Sequence, residues 1–145
     1  PGDDSATVTA AIDELPTGPR SRVHRLGAID ESTKHRLLSD ATVLAYPSLD
    51  EGFGFPILEA QQYGVPVVAT DVGSVAEIGG EGVLLVDGET AGDLADALAT
   101  VMGSTSLQRR LVAAGSHNLD RFSWERTVDQ LVDVYGRLRD RGGRP

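Results

Sequence analysis

Two carboxylates, Glu51 and Glu59, flank a turn rich in glycine and phenylalanine, an arrangement well suited to binding chemistry. The residues between them are Gly-Phe-Gly-Phe-Pro-Ile-Leu. The glycines on both sides of Phe53 let backbone N–H groups approach a ligand closely, because they carry no Cβ atom. Pro56 suits the first position of a helix, and the free N–H groups and dipole at a helix start attract anions. The spacing therefore predicts a phosphate cradle with one acid just before it and one inside it.

The loop that contains Glu51 follows an apolar run typical of a strand. Ligands of open α/β sheets bind outside the carboxyl ends of strands, so this loop lies where a site is expected. The simpler alternative is a long glycine-rich loop with solvated acids, in which Glu59 only favours the helix dipole.

Two other turns also follow apolar runs. In the first, Ile29 is placed to cover the flat face of a base, and Lys34 to reach a polar edge or a phosphate. An ordinary helix cap at Asp30 with a solvated lysine explains the same residues equally well. In the second turn, Gly73 and Ser74 can add donors to the same crevice, although a plain turn is somewhat favoured.

Four β-rich runs alternate with helical patterns, which predicts an α/β fold with a parallel sheet and right-handed crossovers. The strands are predicted at residues 22–26, 42–46, 66–70 and 83–86. The helices are predicted at residues 4–15, 31–39, 56–63, 91–101, 105–121 and 124–139. Helix ends are expected at Pro16, Asp30, Gly64, Thr90 and Ser123. Residues 1–139 are interpreted as one domain and residues 140–145 as a loose tail.

Composition narrows the classes of partner. A net charge of −9 argues against broad binding to nucleic acid, which needs a basic patch. The chain has no cysteine, and its three histidines show no ligand spacing, so no metal is expected. No apolar run approaches the roughly 20 residues of a membrane span. We therefore expect a cytoplasmic location, with the inner face of the membrane as an alternative.

The sequence resembles the retaining glycosyltransferases of family 4, the group 1 transferases with the GT-B fold. The resemblance starts from the E-x7-E pattern of Glu51 and Glu59 and covers nearly the whole chain. It is carried by Ala-Thr-Val-Leu-Ala-Tyr-Pro-Ser, Glu-Gly-Phe-Gly-Phe-Pro-Ile-Leu-Glu-Ala, Tyr-Gly-Val-Pro-Val-Val-Ala-Thr-Asp and Phe-Ser-Trp-Glu-Arg-Thr. The fold it implies is a Rossmann-like parallel sheet with flanking helices, the C-terminal half of a GT-B fold without its first strands.

The resemblance also implies a division of roles. Glu51 is the catalytic residue and lies at the hydroxyls of the donor sugar, while Glu59 holds the nucleotide ribose. The turn between them offers backbone N–H groups to the sugar and the diphosphate. The donor-binding residues implied in this way are Phe53, Gly54, Phe55, Pro56, Glu59, Ile29, Asp30, Glu31 and Lys34. Gly52, Gly73 and Ser74 are added to the expected donor site from their positions in the turns.

The implied reaction moves a hexose, with retention, from a GDP-, UDP- or ADP-sugar to an acceptor hydroxyl. It needs no metal and no cofactor besides the donor, and the acceptor is a saccharide or a lipid-linked molecule held by an N-terminal domain. The alternatives are another GT-B enzyme, such as a sugar-nucleotide epimerase or a phosphorylase, and a non-catalytic nucleotide-binding module. A phosphorylase is disfavoured, because its pyridoxal phosphate needs a lysine and the chain has only Lys34.

Only one half of such a two-domain fold is present in the sequence. The first predicted strand, at residues 22–26, then lacks the neighbours beside which it would pair in a sheet of this type. We therefore expect the chain to be a fragment that is inactive on its own. The last helix has a broad apolar face, which is expected to be partly exposed and to promote self-association.

Overall fold

A computed structural model describes residues 5–87 and 90–142. The chain divides into two compact units, one up to Lys34 and one from His35 onward, and each is described by itself. The helices are α1 Ser5–Asp13, α2 Thr17–Arg20, α3 Glu31–Asp40, α4 Phe55–Gln62, α5 Val75–Gly79, α6 Ala91–Gly103, α7 Thr105–Leu119 and α8 Trp124–Gly142. The strands are β1 Leu44–Tyr46, β2 Val67–Thr70 and β3 Val83–Val86, and a 3₁₀ turn at Gly80–Gly82 precedes β3.

The three strands form one parallel sheet in the order β1, β2, β3. Leu44 pairs with Val67, which in turn pairs with Val83. Parallel neighbours need long crossover connections, and here α4 joins β1 to β2 while α5 and the 3₁₀ turn join β2 to β3. The predicted α/β fold with a parallel sheet is confirmed, as are the strands predicted at residues 42–46, 66–70 and 83–86.

Helices cover both faces of this sheet, which explains why its central strand is buried throughout and is apolar at Val67, Val68 and Ala69. All four residues of β2 are buried. Val67 and Ala69 pack on one face with residues of α4 and α5. Val68 points to the other face and packs with Val101 of α6 and Leu111 of α7. The alternation follows from the two-residue period of a strand.

The prediction of a strand at residues 22–26 is wrong. Arg22 is in a turn, and the next residues form neither helix nor strand. The apolar residues that suggested a strand are exposed, with Val23 at 42% and Leu26 at 52%. A run of β-forming residues becomes a strand only when neighbouring strands satisfy its backbone groups, and no neighbour is present for this one among the described residues.

The helix-end signals in the sequence match the structure closely. Thr90 and Asp93 form a reciprocal capping box at the start of α6. Ser123 accepts the N–H of Arg126 at 3.2 Å, and Gly64 has the positive φ of +67° expected just after a helix. The short helices α2 and α5 lack strong signals and were not predicted. Helix α8 continues to Gly142, and the proposed boundary at residue 139 stays a prediction.

No helix in the described part of the chain combines the length and the apolar character that crossing a membrane requires.

Candidate functional site

The loop between β1 and α4, at residues 47–54, holds Glu51 at the carboxyl end of the sheet. The hydroxyl of Tyr46, the last residue of β1, donates a hydrogen bond to Oε2 of Glu51. The backbone N–H of Phe53 donates to Oε1 at 3.2 Å. Both carboxylate oxygens therefore have a partner, and the side chain is fixed against its own loop.

These contacts control the ionisation of both side chains. The hydrogen bond from Tyr46, followed by the N–H of Phe53, lowers the pKa of Glu51; burial opposes this, and the N–H groups of Gly54 and Gly52 add to it. Burial raises the pKa of Tyr46 to about 12, and the hydrogen bond and negative charge of Glu51 act in the same direction. At neutral pH the pair consists of a neutral phenol and a carboxylate, which suits Glu51 to accept hydrogen bonds rather than to donate a proton.

The start of α4 lies directly after this carboxylate. Gly54 adopts a φ of +97°, which a residue with a Cβ rarely adopts, and no side chain caps the helix. Pro56 lies in the first turn of α4, as predicted. However, Pro56 has no N–H, so it cannot donate to a phosphate. The N–H of Phe53 is also engaged with Glu51, so part of the predicted cradle is filled by the chain's own carboxylate.

Two phenylalanines lie over this helix start. The rings of Phe53 and Phe55 are 4.5 Å apart between centroids, and Phe55 is 65% exposed. Glu59 lies one turn further along α4 and is half-buried, close to the buried residues Ile57 and Ala60. The side chains before and after the turn are therefore carried by one loop and one helix, as the spacing predicts.

Gly73 and Ser74, in the turn after β2, hold the Glu51 loop from the neighbouring strand. The Ser74 hydroxyl donates to the carbonyl of Phe53 at 2.9 Å, and its N–H donates to the carbonyl of Glu51 at 3.3 Å. A Cβ atom on Gly73 would lie 2.3 Å from that same carbonyl oxygen. This positioning role was missed in the sequence, although the carboxyl ends of parallel neighbours meet at one edge of the sheet. Direct contact of these two residues with a donor stays a prediction.

The residues predicted to line a base belong to the first unit and are described by themselves. Asp30 caps α3 by accepting the N–H of Thr33 at 2.7 Å, and this hydrogen bond lowers the pKa of Asp30. Lys34 forms an ion pair with Glu31 at 2.9 Å, and Ile29 is exposed. The capping interpretation of Asp30 therefore holds. Contact of these residues with a base stays a prediction.

A buried polar network behind α4 was also missed. Gln61 donates to the carbonyl of Gly79 at 2.8 Å and accepts from Asn118 at 2.9 Å. Asn118 also donates to the carbonyl of Ile78 at 2.7 Å. The network joins α4 to α5 and α7, and the only signal for it in the sequence is that Gln61 follows the buried positions 57 and 60 on the helix.

An open groove of about 690 Å³ is lined by residues of α5, the 3₁₀ turn, β3 and α7, together with Arg121. Its polar lining includes Asn118 and Arg121, and Arg121 donates to the carbonyls of Asn118 (side chain) and Glu77 (backbone). These groups are engaged in holding helices together, so we assign the groove no ligand. Among residues 5–87 and 90–142, no group of three or more His, Asp or Glu side chains is arranged to hold a metal ion.

Solved structures with this arrangement are known. A sucrose-phosphate synthase from Thermosynechococcus elongatus superimposes with a TM-score of 0.79 and 30% identity, over 96% of this chain and 35% of that one. The C-terminal domain of a glycosyl transferase group 1 family protein from Francisella tularensis gives a TM-score of 0.64. Its 20% identity supports likeness of fold alone, over 83% of this chain and 64% of that one. The α/β fold is the Rossmann-like arrangement of a GT-B domain.

Curated relatives point in the same direction. A D-inositol 3-phosphate glycosyltransferase from a Nocardioides species is 38% identical over 125 residues, which are 85% of this chain and 27% of that protein. The O-antigen chain mannosyltransferase B of Escherichia coli is 32% identical over 113 residues, 78% of this chain and 30% of that protein. The chain thus spans about a quarter to a third of the length of these relatives. It matches the family described as "Glycosyl transferases group 1" over residues 14–118, and it belongs to that family.

Proposed function

We propose that this chain is the donor-binding part of a retaining glycosyltransferase of family 4, which moves a hexose from a nucleotide sugar to an acceptor hydroxyl. The observation that carries the proposal is the ionised carboxylate of Glu51, fixed by Tyr46 and Phe53 immediately before the start of α4. This arrangement lies inside the matched family segment, residues 14–118.

In this proposal Glu51 accepts hydrogen bonds from hydroxyls of the donor sugar. The backbone N–H groups around Phe53 to Phe55, with the dipole of α4, stabilise the diphosphate as it leaves. Glu59 accepts from the ribose hydroxyls. Because one N–H cannot serve two anions fully, arrival of the diphosphate at Phe53 is expected to turn the Glu51 carboxylate towards the sugar.

The proposed donor, cofactor and location are those expected from the sequence. The donor is a GDP-, UDP- or ADP-sugar, and no metal or further cofactor takes part. The similarity to a D-inositol 3-phosphate glycosyltransferase and to an O-antigen chain mannosyltransferase supports a small-molecule or saccharide acceptor for the whole protein. The proposed location is the cytoplasm.

Calorimetric titration of the chain with GDP, UDP and ADP, and then with the matching nucleotide sugars, tests this assignment. A nucleotide present at 100 times its Kd also adds about 2.7 kcal/mol to the free energy of unfolding, and a thermal or urea melt detects this gain independently. Glu59→Ala removes a hydrogen bond to a charged group, worth about 1.5–3 kcal/mol, and should weaken binding of the nucleoside diphosphate roughly 10- to 150-fold.

Glu51→Gln should leave the affinity for the nucleoside diphosphate largely intact and remove the extra affinity contributed by the sugar. In a protein that also contains the acceptor-binding part, it should lower turnover far more than nucleotide affinity. Glu77→Gln is the matched control, because Glu77 is an exposed acid of α5 outside the loop. The proposal fails if none of the nucleotides binds, or if all three variants bind with the affinity of the original chain.

A further inference from the structure

Tyr46, the last residue of β1, was not among the site residues predicted from the sequence, yet its hydroxyl contacts Glu51. The position of Tyr46 is fixed from two sides. Its backbone is in register with Ala69 of β2, and its half-buried ring packs against the apolar core that contains Ile57 and Val67. A hydroxyl carried by a packed strand moves little, so it offers a fixed point to which a more mobile carboxylate is attached.

The second partner of the carboxylate is less constrained. Oε1 of Glu51 accepts the N–H of Phe53 at 3.2 Å, at the long end of the usual range for such a bond. Phe53 lies between Gly52 and Gly54, in a loop rather than a strand. In the proposed function the same N–H serves the diphosphate. Because two negative groups repel each other and compete for one donor, the bond at Oε1 is the one that a bound diphosphate breaks.

We propose that Tyr46 is a positioning residue for recognition of the donor sugar: its hydroxyl keeps Oε2 of Glu51 while the diphosphate takes the N–H of Phe53, so that Oε1 turns to the sugar hydroxyls. This inference rests on the proposed function, which supplies the diphosphate and the sugar. The carboxylate turns about its bond to Tyr46, and Tyr46 acts on the sugar only through Glu51.

The ionisation of the two side chains suits this arrangement. With a pKa of about 12, the phenol of Tyr46 stays protonated at neutral pH and remains a donor. The pKa of Glu51 is lowered first by this hydrogen bond and next by the N–H of Phe53, so the carboxylate keeps its main partner when the N–H is taken. A carboxylate held at one oxygen presents the other in a defined direction, which is what distinguishes hydroxyls by their position on a sugar.

The backbone of the loop has supports of its own, which makes removal of the phenol oxygen a clean test. The hydroxyl of Thr70, the last residue of β2, donates to the carbonyl of Ser48. The Ser74 hydroxyl donates to the carbonyl of Phe53 at 2.9 Å. Neither bond involves the side chain of Tyr46. Tyr46→Phe therefore releases the carboxylate and leaves the path of the loop in place.

Calorimetric titration of the chain with three ligand pairs tests the proposal: UDP and UDP-glucose, GDP and GDP-mannose, and ADP and ADP-glucose. The ratio of the two Kd values of a pair gives the sugar's contribution to affinity. Tyr46→Phe should lower this contribution about 3- to 10-fold and change the Kd of the nucleoside diphosphate by less than about twofold. In the Glu51→Gln background, Tyr46→Phe should lower it no further, because a positioning residue acts only through the group that it positions. Tyr63→Phe is the matched control, since it removes the same atom from a tyrosine whose ring lies beside His35.

NMR of the chain without ligand gives a second readout. The resonance of the Glu51 carboxyl carbon should shift in Tyr46→Phe and stay in place in Tyr63→Phe. A resonance that does not shift in Tyr46→Phe overturns the proposal, because the hydrogen bond on which it depends is then absent. A cooperative melt of each variant verifies that the domain is folded.

The binding data separate failure of this inference from failure of the proposed function. If a nucleotide sugar binds and Tyr46→Phe leaves the sugar's contribution intact, the positioning role is refuted while the proposed function stands. An equal loss in the Glu51→Gln background also refutes it, because Tyr46 then has a purely structural role. If no nucleotide or nucleotide sugar binds to the original chain, the proposed function fails and this inference fails with it.

Discussion

Replacing Gly73 by alanine is expected to displace the loop that carries Glu51, although Gly73 lies on a different connection of the sheet. The added Cβ atom would lie 2.3 Å from the carbonyl oxygen of Glu51. An ordinary carbon-to-oxygen contact is about 3.3 Å or longer, so the loop and the turn must separate by about 1 Å. A shift of this size at a reacting group can lower a rate about 100-fold.

The substitution also has two energetic consequences for the fold. Gly73 has a φ of +52°, and a residue with a Cβ pays about 1–2 kcal/mol in this left-handed region. Separating the turn from the loop weakens the hydrogen bonds of Ser74 to Glu51 and Phe53, each worth about 0.5–1.5 kcal/mol. Together these effects predict a loss of about 2–4 kcal/mol in the free energy of unfolding.

Gly64→Ala is the matched control. Gly64 has a similar φ of +67°, but a Cβ there would meet Val112 at 3.7 Å, an ordinary contact. Only the conformational cost of about 1–2 kcal/mol is expected, with no displacement of the loop. Urea unfolding measures both losses, and titration of the Glu51 carboxyl by NMR measures the loop. If the two variants lose the same stability and the pKa of Glu51 is unchanged in Gly73→Ala, the positioning argument is refuted.

Two further predictions follow from the hydrogen bonds around α4. Tyr46→Phe should raise the pKa of Glu51 towards its ordinary value, because the lost hydrogen bond is the largest cause of its lowering. The stabilisation that this bond provides is present above the pKa of the carboxyl in the unfolded chain, and it is lost as the pH falls through the lower pKa of the folded state. Tyr46→Phe should therefore reduce the loss of stability at acid pH. An NMR titration that shows the same pKa of Glu51 in the variant would contradict this assignment. Asn118→Ala should lower the free energy of unfolding in urea by about 2–3 kcal/mol, because buried partners such as the carbonyl of Ile78 lose their donor. His117→Ala is the control: His117 is exposed, so its replacement should change this free energy by no more than about 0.5 kcal/mol.

The parts of the fold that could be predicted from the sequence are those with local signals. Val67, Val68 and Ala69 of strand β2 are apolar because both faces of the strand are covered, and this pattern is visible directly in the sequence. The capping residues Thr90 and Ser123 bond to backbone groups within the same turn, so their roles are visible locally too. The segment at residues 22–26 has a similar local signal, but strand formation depends on neighbours that lie elsewhere in a sheet.

The candidate site also has one part with a local signal in the sequence and another part without such a signal. The order of acid, glycine turn and helix start was predictable from Glu51 and Pro56. The hydrogen bond between the Glu51 carboxylate and the N–H of Phe53, in the same loop, could not be predicted. It depends on the hydroxyl of Tyr46 and on the backbone conformation of Gly54. The hydrogen bond of Ser74 to Phe53 and the one between Gln61 and Asn118 each join segments that are more than 20 residues apart. Such contacts produce no periodic pattern in the sequence.

The contacts of the Glu51 loop indicate how the candidate site is held ready before a ligand arrives. β1 fixes the carboxylate through Tyr46, the turn after β2 fixes the backbone through Ser74, and buried Ile57 anchors the start of α4. Gln61 in turn ties α4 to Asn118 on α7, far along the chain from the loop. The backbone of the loop is held from several sides and needs little reorganisation on binding, although the Glu51 carboxylate itself is expected to turn; a preorganised backbone contributes to affinity and rate. Changes at Asn118 should therefore reach Glu51 only through α4 and mainly affect stability, whereas changes at Gly73 act on the loop directly and should affect binding as well.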